Sequence, residues 1–499
     1  DEMVGFWDSC HNSPSWEQFC VKLFARVAKD NVGYVDWKPY IPKIFTRVIR
    51  SFNLPLGIKC RHNSRDNYDS YVSAVWIVSM MVDDDCIQSH LDNFFESAKS
   101  FYYPSNVGKY TGKLQQFLSR LSRVFTDRVH RERYKKPSWE TSIPLKSRLS
   151  DDRILKFVEC LKPVVLLSMF NKMGSFEAAT CLQQLAQLKP DVVLPTLLDR
   201  TYTALDTLTE PHQLTASLTC ITAVARPLLS SSEEFPDGPT HLIRLLTLVL
   251  PGIDANDFRK AMATFTFIST LISLVPLVDC SQAAFTMDLT ETEKEISAAS
   301  GQFEDFVLLF MERCFAMIEN CKFQPTSELN SGSHVEKMDS QEGMIGMGLT
   351  STFHTILMQC SPQIFKVALK HLFQFCSNKI FETKVAGQMV ADFCRAAART
   401  DAESSLKLFI PYIHSVIENI TSVAGVQDEE EVDEELTWCL QLLSEIVRCN
   451  GSKVLPYKQD LVDILKPCVG LKSKRAFHFA AKVLHHVIPS LILLYPMEW

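Results

Sequence analysis

Apolar side chains in this chain recur at i, i+3, i+4, i+7 and i+11, the spacing of one face of an α-helix, about every twenty residues. Trp16, Phe19, Cys20, Leu23 and Val27 make the first such stripe; Ile41, Ile44, Phe45, Val48, Ile49 and Phe52 make another. A helix with one wide apolar stripe is not stable alone and must bury that stripe against neighbours. No alternating, strand-like segments interleave. Many such helices in series stack into a solenoid, so the expected fold is all-α, an α-solenoid of HEAT- or armadillo-like helix pairs.

Helix pairs can be read directly. Glu17 to Lys29 precedes Asp36 to Phe52, Ala178 to Leu188 precedes Val192 to Leu205, and Pro362 to Cys376 precedes Thr383 to Ala397. Each pair with its turns spans about 35 to 45 residues, the size of one HEAT or armadillo unit. Ser13-Pro14 and Ser361-Pro362 place an N-cap before a first-turn proline, and Thr290 to Glu293 reads as a capping box. Gly451 is expected to stop a helix running from about Glu434 to Asn450. Pro104, Pro190, Pro227, Pro251, Pro276 and Pro325 are expected at helix ends.

The chain is therefore expected to form one continuous repeat region over 1–499, with loop insertions near 53–67, 324–342 and 424–435. A chain of 499 residues exceeds what one compact core supports, whereas a repeat array grows without that limit. Hydrophobic residues make up 46% and charged ones 22%, which excludes wholesale disorder. The formal net charge of −7 gives no support to direct nucleic-acid binding.

No run of eighteen apolar residues is present; Phe265 to Val278 comes nearest and is broken by Thr266, Ser269, Thr270 and Ser273, so no membrane span is expected. Asp1-Glu2-Met3 opens without the basic and apolar regions of a secretory signal, and the stop at Trp499 after an apolar helix suggests a piece of a longer chain. The sixteen cysteines form no C-x-x-C pair and fall mostly on apolar faces, as at Cys20, Cys160, Cys181, Cys220, Cys314 and Cys394. Reduced cysteines acting as small hydrophobes are the expected reading.

Chemistry is hard to find. Thirteen histidines form no H-E-x-x-H, and the adjacent His485 and His486 point to different helix faces, so no metal site is expected. The glycines Gly343, Gly346 and Gly348 lack the Lys-Ser/Thr ending of a phosphate loop and read as a helix start. Glu304 and Asp305 read as a solvated face beside Phe303 and Phe306. No catalytic residue is assigned, and the chain is expected to be non-enzymatic and to require no cofactor.

One cluster stands apart. Arg120, Arg123, Arg128, His130, Arg131, Arg133, Lys135 and Lys136 concentrate positive charge toward the end of one helix, flanked by Tyr134 and Trp139. Basic side chains in a last turn complement the helix dipole, which is one reading. The other is an anion or partner contact, for which Arg128, Arg131, Arg133, Lys135 and Lys136 are the candidate residues.

Several longer segments carry a family resemblance: Leu23–Trp37 (LFARVAKDNVGYVDW), Pro42–Arg47 (PKIFTR), His130–Trp139 (HRERYKKPSW), Thr207–Ala216 (TLTEPHQLTA), Leu274–Ser281 (LVPLVDCS) and Ile380–Asp392 (IFETKVAGQMVAD). They resemble the middle region of the proteasome activator complex subunit 4 family, very large single-chain proteasome caps. None of these segments is a chemical motif. The resemblance implies a dome of HEAT-like repeats on the alpha ring of the 20S core particle, opening its gate without ATP in nucleus and cytoplasm. It implies substrate peptides and unfolded or acetylated proteins, histones among them, as partners through the full-length protein, with roles in DNA repair and spermatogenesis. It also implies an inositol polyphosphate as a ligand for basic openings, and so for the 128–136 cluster. The family's C-terminal tail has a penultimate tyrosine, unlike Tyr495-Pro496-Met497-Glu498-Trp499, and its acetyl-lysine module is not found in this sequence. A karyopherin-like transport adaptor, also an α-solenoid, is the alternative.

Overall fold

The computed structural model describes residues 2–9, 14–55, 68–82, 85–106, 108–135, 142–171, 174–207, 210–320, 340–381, 385–423 and 434–492. The expected N-cap Ser13, most of the three loop insertions, Pro325, Lys136, Trp139 and the last residues 493–499 lie outside that set. Among the described residues helices dominate, and the only β-pairings are isolated bridges at Ser232/Phe235 and Leu277/Cys360.

The helices fall into two compact units, Asp1–Pro239 and Thr240–Trp499. The first holds α1 (Glu2–Ser9), α2 (Pro14–Asp30), α3 (Ile41–Ser51), α4 (Ser70–Met80), α5 (Cys86–Ala98), α6 (Lys109–Tyr134), α7 (Asp151–Ser168), α8 (Ser175–Leu188), α9 (Pro190–Thr207), α10 (Pro211–Ala223) and α11 (Ala225–Leu229). Within it, from α2 onward, each helix packs against the helix two places along the chain. One layer runs α2, α4, α6, α8, α10 and the other α3, α5, α7, α9, α11, with consecutive helices such as α7/α8 and α9/α10 joining the layers. That is the stacking of helix pairs in an α-solenoid.

The second unit repeats the plan. It holds α12 (Leu242–Val249), α13 (Phe258–Ile272), α14 (Ala283–Thr286), α15 (Glu291–Ser300), α16 (Phe303–Asn320), α17 (Ser340–Gln359), α18 (Pro362–Asn378), α19 (Val385–Thr400), α20 (Ala402–Thr421), α21 (Glu434–Ile446), α22 (Gly451–Val454), α23 (Lys458–Val469) and α24 (Lys474–Ile492). One layer is α13, α17, α19, α21, α24 and the other α12, α16, α18, α20, α23.

The expected helix pairs are all present, with the second helix of the first pair beginning at Ile41 behind a 3-10 turn, Lys38–Tyr40. Ile41, Ile44, Phe45 and Val48 are buried as their spacing requires. Thr290 Oγ1 accepts from the Glu293 amide and Glu293 accepts from the Thr290 amide, completing the capping box. Ser361 Oγ accepts from the Ile364 amide at 3.4 Å. Of the quoted cysteines, Cys181, Cys220, Cys314 and Cys394 are buried, and burial pushes the Cys181 and Cys220 thiols up to about 12, away from reactive thiolate.

Three expectations are corrected. In α2 the buried face is Val21, Phe24, Ala25 and Ala28, while Trp16, Phe19, Leu23 and Val27 are exposed, Phe19 to 70%. Both sets have helical spacing, so α2 carries two apolar stripes. The inward one is anchored by Phe24, whose ring stacks on Trp76 with centroids 5.5 Å apart and meets Trp7 and Trp37 edge-on. Gly451 does not stop a helix: α21 ends at Ile446, and Gly451 opens α22 with Asn450 as its cap. A Cβ there would lie 1.9 Å from the Ser490 carbonyl oxygen, so glycine is needed because α24 passes against it. Pro190 does stand at a helix boundary, between α8 and α9, but Pro227 sits inside α11, where a first-turn proline loses no helical hydrogen bond.

Candidate functional site

The basic cluster belongs to α6, 26 residues long and the longest helix described. Its members do different things. Arg128 points inward with only 4% of its side chain exposed. Its guanidinium donates to the carbonyls of Val78, Met81 and Ser147, the last two at 2.7 and 2.8 Å, and pairs with Glu132 at 2.7 Å. Val78 and Met81 lie at the end of α4, where the Val78 carbonyl already accepts from the Met81 amide at 3.2 Å. Arg128 adds a second donor at Val78, donates to the Met81 carbonyl beyond it and places a favourable charge for the dipole. Glu132 in turn accepts from the Leu149 amide at 2.8 Å. Burial, with Arg131 adding to it, lowers the Arg128 pKa against the opposing pull of Glu132. Arg128 is thus a clamp joining α4, α6 and the 3-10 turn Leu145–Ser147.

The remaining candidates lie nearer solvent. Arg133 pairs with Asp151 at 2.5 Å, and that contact holds the Asp151 carboxyl below its usual range. Arg131 reaches the Lys29 carbonyl at 3.4 Å, and Lys135 is exposed. Arg120, at the other end of the run, pairs with Asp69 at 2.7 Å. His130 packs on Tyr134, whose ring is 72% exposed. The structure therefore leaves Arg131, Arg133 and Lys135 at or near the surface, with Arg131 turned to the Lys29 carbonyl and Arg133 to Asp151, and removes Arg128 from it.

A second charged constellation has no counterpart in the sequence reading. α21 is buried from Leu436 to Ile446, and inside that run stands Glu445, with 1% of its side chain exposed. Three cations converge on it from three segments. Lys482 of α24 lies at 2.8 Å, Arg448 at 2.9 Å and Arg395 of α19 at 3.1 Å, with Gln388 Nε2 at 3.3 Å. Burial opposes ionisation here, but the hydrogen bond and field of Lys482 and the fields of Arg395 and Arg448 outweigh it and hold the carboxyl at about 2. A glutamate inside the apolar run Leu436–Val447 is the signal that could have found this. Arg395 also pairs with Asp392 at 3.1 Å. Such a network holds neighbouring repeats in register.

Neither constellation resembles a catalytic set. Among the described residues no group of His, Cys, Asp or Glu is placed to hold a metal ion, and no helix is long and apolar enough to cross a membrane. His485 is exposed, whereas His486 Nδ1 lies 2.6 Å from the Ser444 carbonyl. Glu304 and Asp305 face solvent. What the surface does offer is apolar area: the α2 ridge, and a groove of about 460 Å³ lined by Leu461, Leu465, Val469, Leu484, Val487 and Leu491.

Residues 91–499 match the family described as proteasome activator complex subunit 4, mid HEAT repeats region. The chain belongs to this family. Over its full length it is 50% identical to human proteasome activator complex subunit 4 and 49% identical to zebrafish (Danio rerio) subunit 4B. It is 23% identical over 99% of its length to proteasome activator subunit 4 of Arabidopsis thaliana. The chain spans 27, 28 and 29% of those three proteins respectively. The two-layer helix stacking is what a HEAT-repeat region of the proteasome activator complex subunit 4 family requires.

Proposed function

We propose that this chain is a wall segment of a non-catalytic, ATP-independent activator that caps the 20S core particle. In that role it helps regulate the core's gate and admits peptides and unfolded or acetylated proteins, histones included. The carrying observation is the two-layer stack of helices in each unit, joined to full-length likeness to proteins named proteasome activators. Stacked repeats act through shape and surface, which suits a protein whose partner performs the catalysis. The alpha ring of the core and acetylated histones are the partners this reading supplies, in nucleus and cytoplasm.

Cryo-electron microscopy of a polypeptide with the relatives' length, bound to 20S core, tests this. The reading expects this span in the wall of a cap; a span projecting away from the complex, with no part in enclosing the pore, overturns it. For the α6 end, the proposal that an inositol polyphosphate is held there rests on Arg131, Arg133 and Lys135, with Lys136 beside them in sequence. Charge reversal at Arg131, Arg133, Lys135 and Lys136 should abolish inositol hexakisphosphate binding at that end, and unchanged binding rejects the assignment.

A further inference from the structure

We propose that the cavity between the ends of α19 and α21 and the flank of α24 is a binding site for a phosphate group, either free phosphate or a phosphate monoester. The site goes beyond the activator reading and does not depend on it. The cavity measures about 740 Å³ and lies wholly within the Thr240–Trp499 unit. Its lining brings Arg399 from the last turn of α19, Arg448 just past α21, and His485 and His486 from α24. Asn450, Gly451 and Ser452 complete one wall, and among the described residues no carboxylate lines the cavity.

The local charge is unbalanced. Behind the wall, Glu445 and Asp392 face four cations: Arg395, Arg399, Arg448 and Lys482. The two carboxylates are taken up by Arg395, Arg448 and Lys482, at 2.8 to 3.1 Å. Arg399 makes one long hydrogen bond, Nε to the Arg448 carbonyl at 3.4 Å, and no ion pair among the described residues. Its pKa is lowered by burial and then by the fields of Arg395 and Arg448, the mark of a positive neighbourhood. His354 shows the same effect, from burial and then Arg399 and Arg395.

Basic side chains at the ends of α19 and α21 suit the dipoles there. That does not explain two imidazoles arriving from the body of α24, nor a cavity bounded by all four groups. The floor is also built rather than accidental. Gly451 lies so close to α24 that a Cβ would meet the Ser490 carbonyl oxygen at 1.9 Å, and Ser490 Oγ donates to the Val447 carbonyl at 2.9 Å. His486 turns Nδ1 to the Ser444 carbonyl at 2.6 Å, so the cavity's donors are the remaining N–H groups of the Arg399 and Arg448 guanidiniums and the His485 ring, which approach from more directions than the two oxygens of a carboxylate span. A phosphate, with three terminal oxygens, matches them better.

The test is isothermal titration of the 499-residue chain with inorganic phosphate, with a short phosphoserine peptide, and with the same peptide unphosphorylated. Saturable binding of phosphate or phosphopeptide is expected, with the Arg399→Gln, His485→Gln double variant weaker by roughly tenfold or more. Both side chains are exposed, so the variant should keep the wild-type melting temperature. Lys366→Gln, an exposed cation of α18 outside the cavity lining, should bind as wild type does. Tighter binding of the phosphopeptide makes a phosphorylated polypeptide the source; equal binding makes it free phosphate. No saturable binding of either probe, equal affinity in the double variant, or equal binding of the unphosphorylated peptide would each overturn the proposal. No proteasome is present in this measurement, so its failure leaves the activator reading standing and the reverse holds too.

Discussion

Replacing Glu445 by alanine should be among the most damaging single changes in the Thr240–Trp499 unit. The wild-type carboxylate is fully enclosed and bonded to Lys482, Arg448 and Arg395 at 2.8, 2.9 and 3.1 Å. Without it, three cations face one another with one carboxylate, Asp392, left among them. Breaking a buried pair by removing one partner costs about 3–5 kcal/mol. The cations are 25, 34 and 22% exposed, so water offsets part of that and the lower end applies.

An independent route gives a similar size, because the fall of the Glu445 pKa from 4.5 to about 2 corresponds to ~3 kcal/mol. The folded carboxyl holds its proton less tightly than the unfolded one. Its contribution is therefore complete above pH 4.5 and disappears as pH falls toward about 2. At neutral pH, Glu445→Ala should lower the unit's melting temperature by roughly 6–12 °C, followed by circular dichroism at 222 nm. Glu445→Gln should fall between, and its deficit should close as pH drops through that window. A Glu445→Ala melting point within about 2 °C of wild type at pH 7 would refute the reasoning.

Other outcomes follow from the same geometry. Arg128→Lys should fail to replace arginine, losing about 2–4 kcal/mol in denaturant unfolding of the first unit, because one ammonium cannot serve three carbonyls and Glu132 together. Gly451→Ala should destabilise by about 1–3 kcal/mol, since backbone atoms of Ser490 must move, and hydrogen exchange should rise along α22 and α24. Gly112→Ala, inside α6 with no neighbour within 4 Å of its added Cβ, should stabilise by up to about 1 kcal/mol by the same unfolding assay. Thr290→Ala should cost about 1 kcal/mol through loss of the α15 capping box.

The layered helix architecture was legible because its cause is local. Helical spacing at Ile41, Ile44, Phe45 and Val48, and caps at Ser361 and Thr290, depend on neighbours within a turn or two. In α2 two stripes satisfy the same periodicity, and only the partners Trp7, Trp37 and Trp76 decide between them. The 120–136 run shows the corresponding limit for charge. Sequence places Arg128 among surface cations, yet the carbonyls at the end of α4, some fifty residues earlier, draw it inward. Glu445 is not legible in the sequence because two of its three partners, Arg395 and Lys482, lie 50 and 37 residues away. Gly451 reads locally as a helix stop, whereas the reason for glycine there is the approach of α24, which no local pattern records.

The central claim is that this span serves an activator and catalyses nothing itself. Hydrolysis of a fluorogenic peptide by purified 20S core, without ATP, tests it most directly when a polypeptide of the relatives' length containing this span is added. The account predicts faster hydrolysis with both components present and none from the added protein alone. Unchanged core activity with no association, or hydrolysis by the protein in the absence of core, would contradict it.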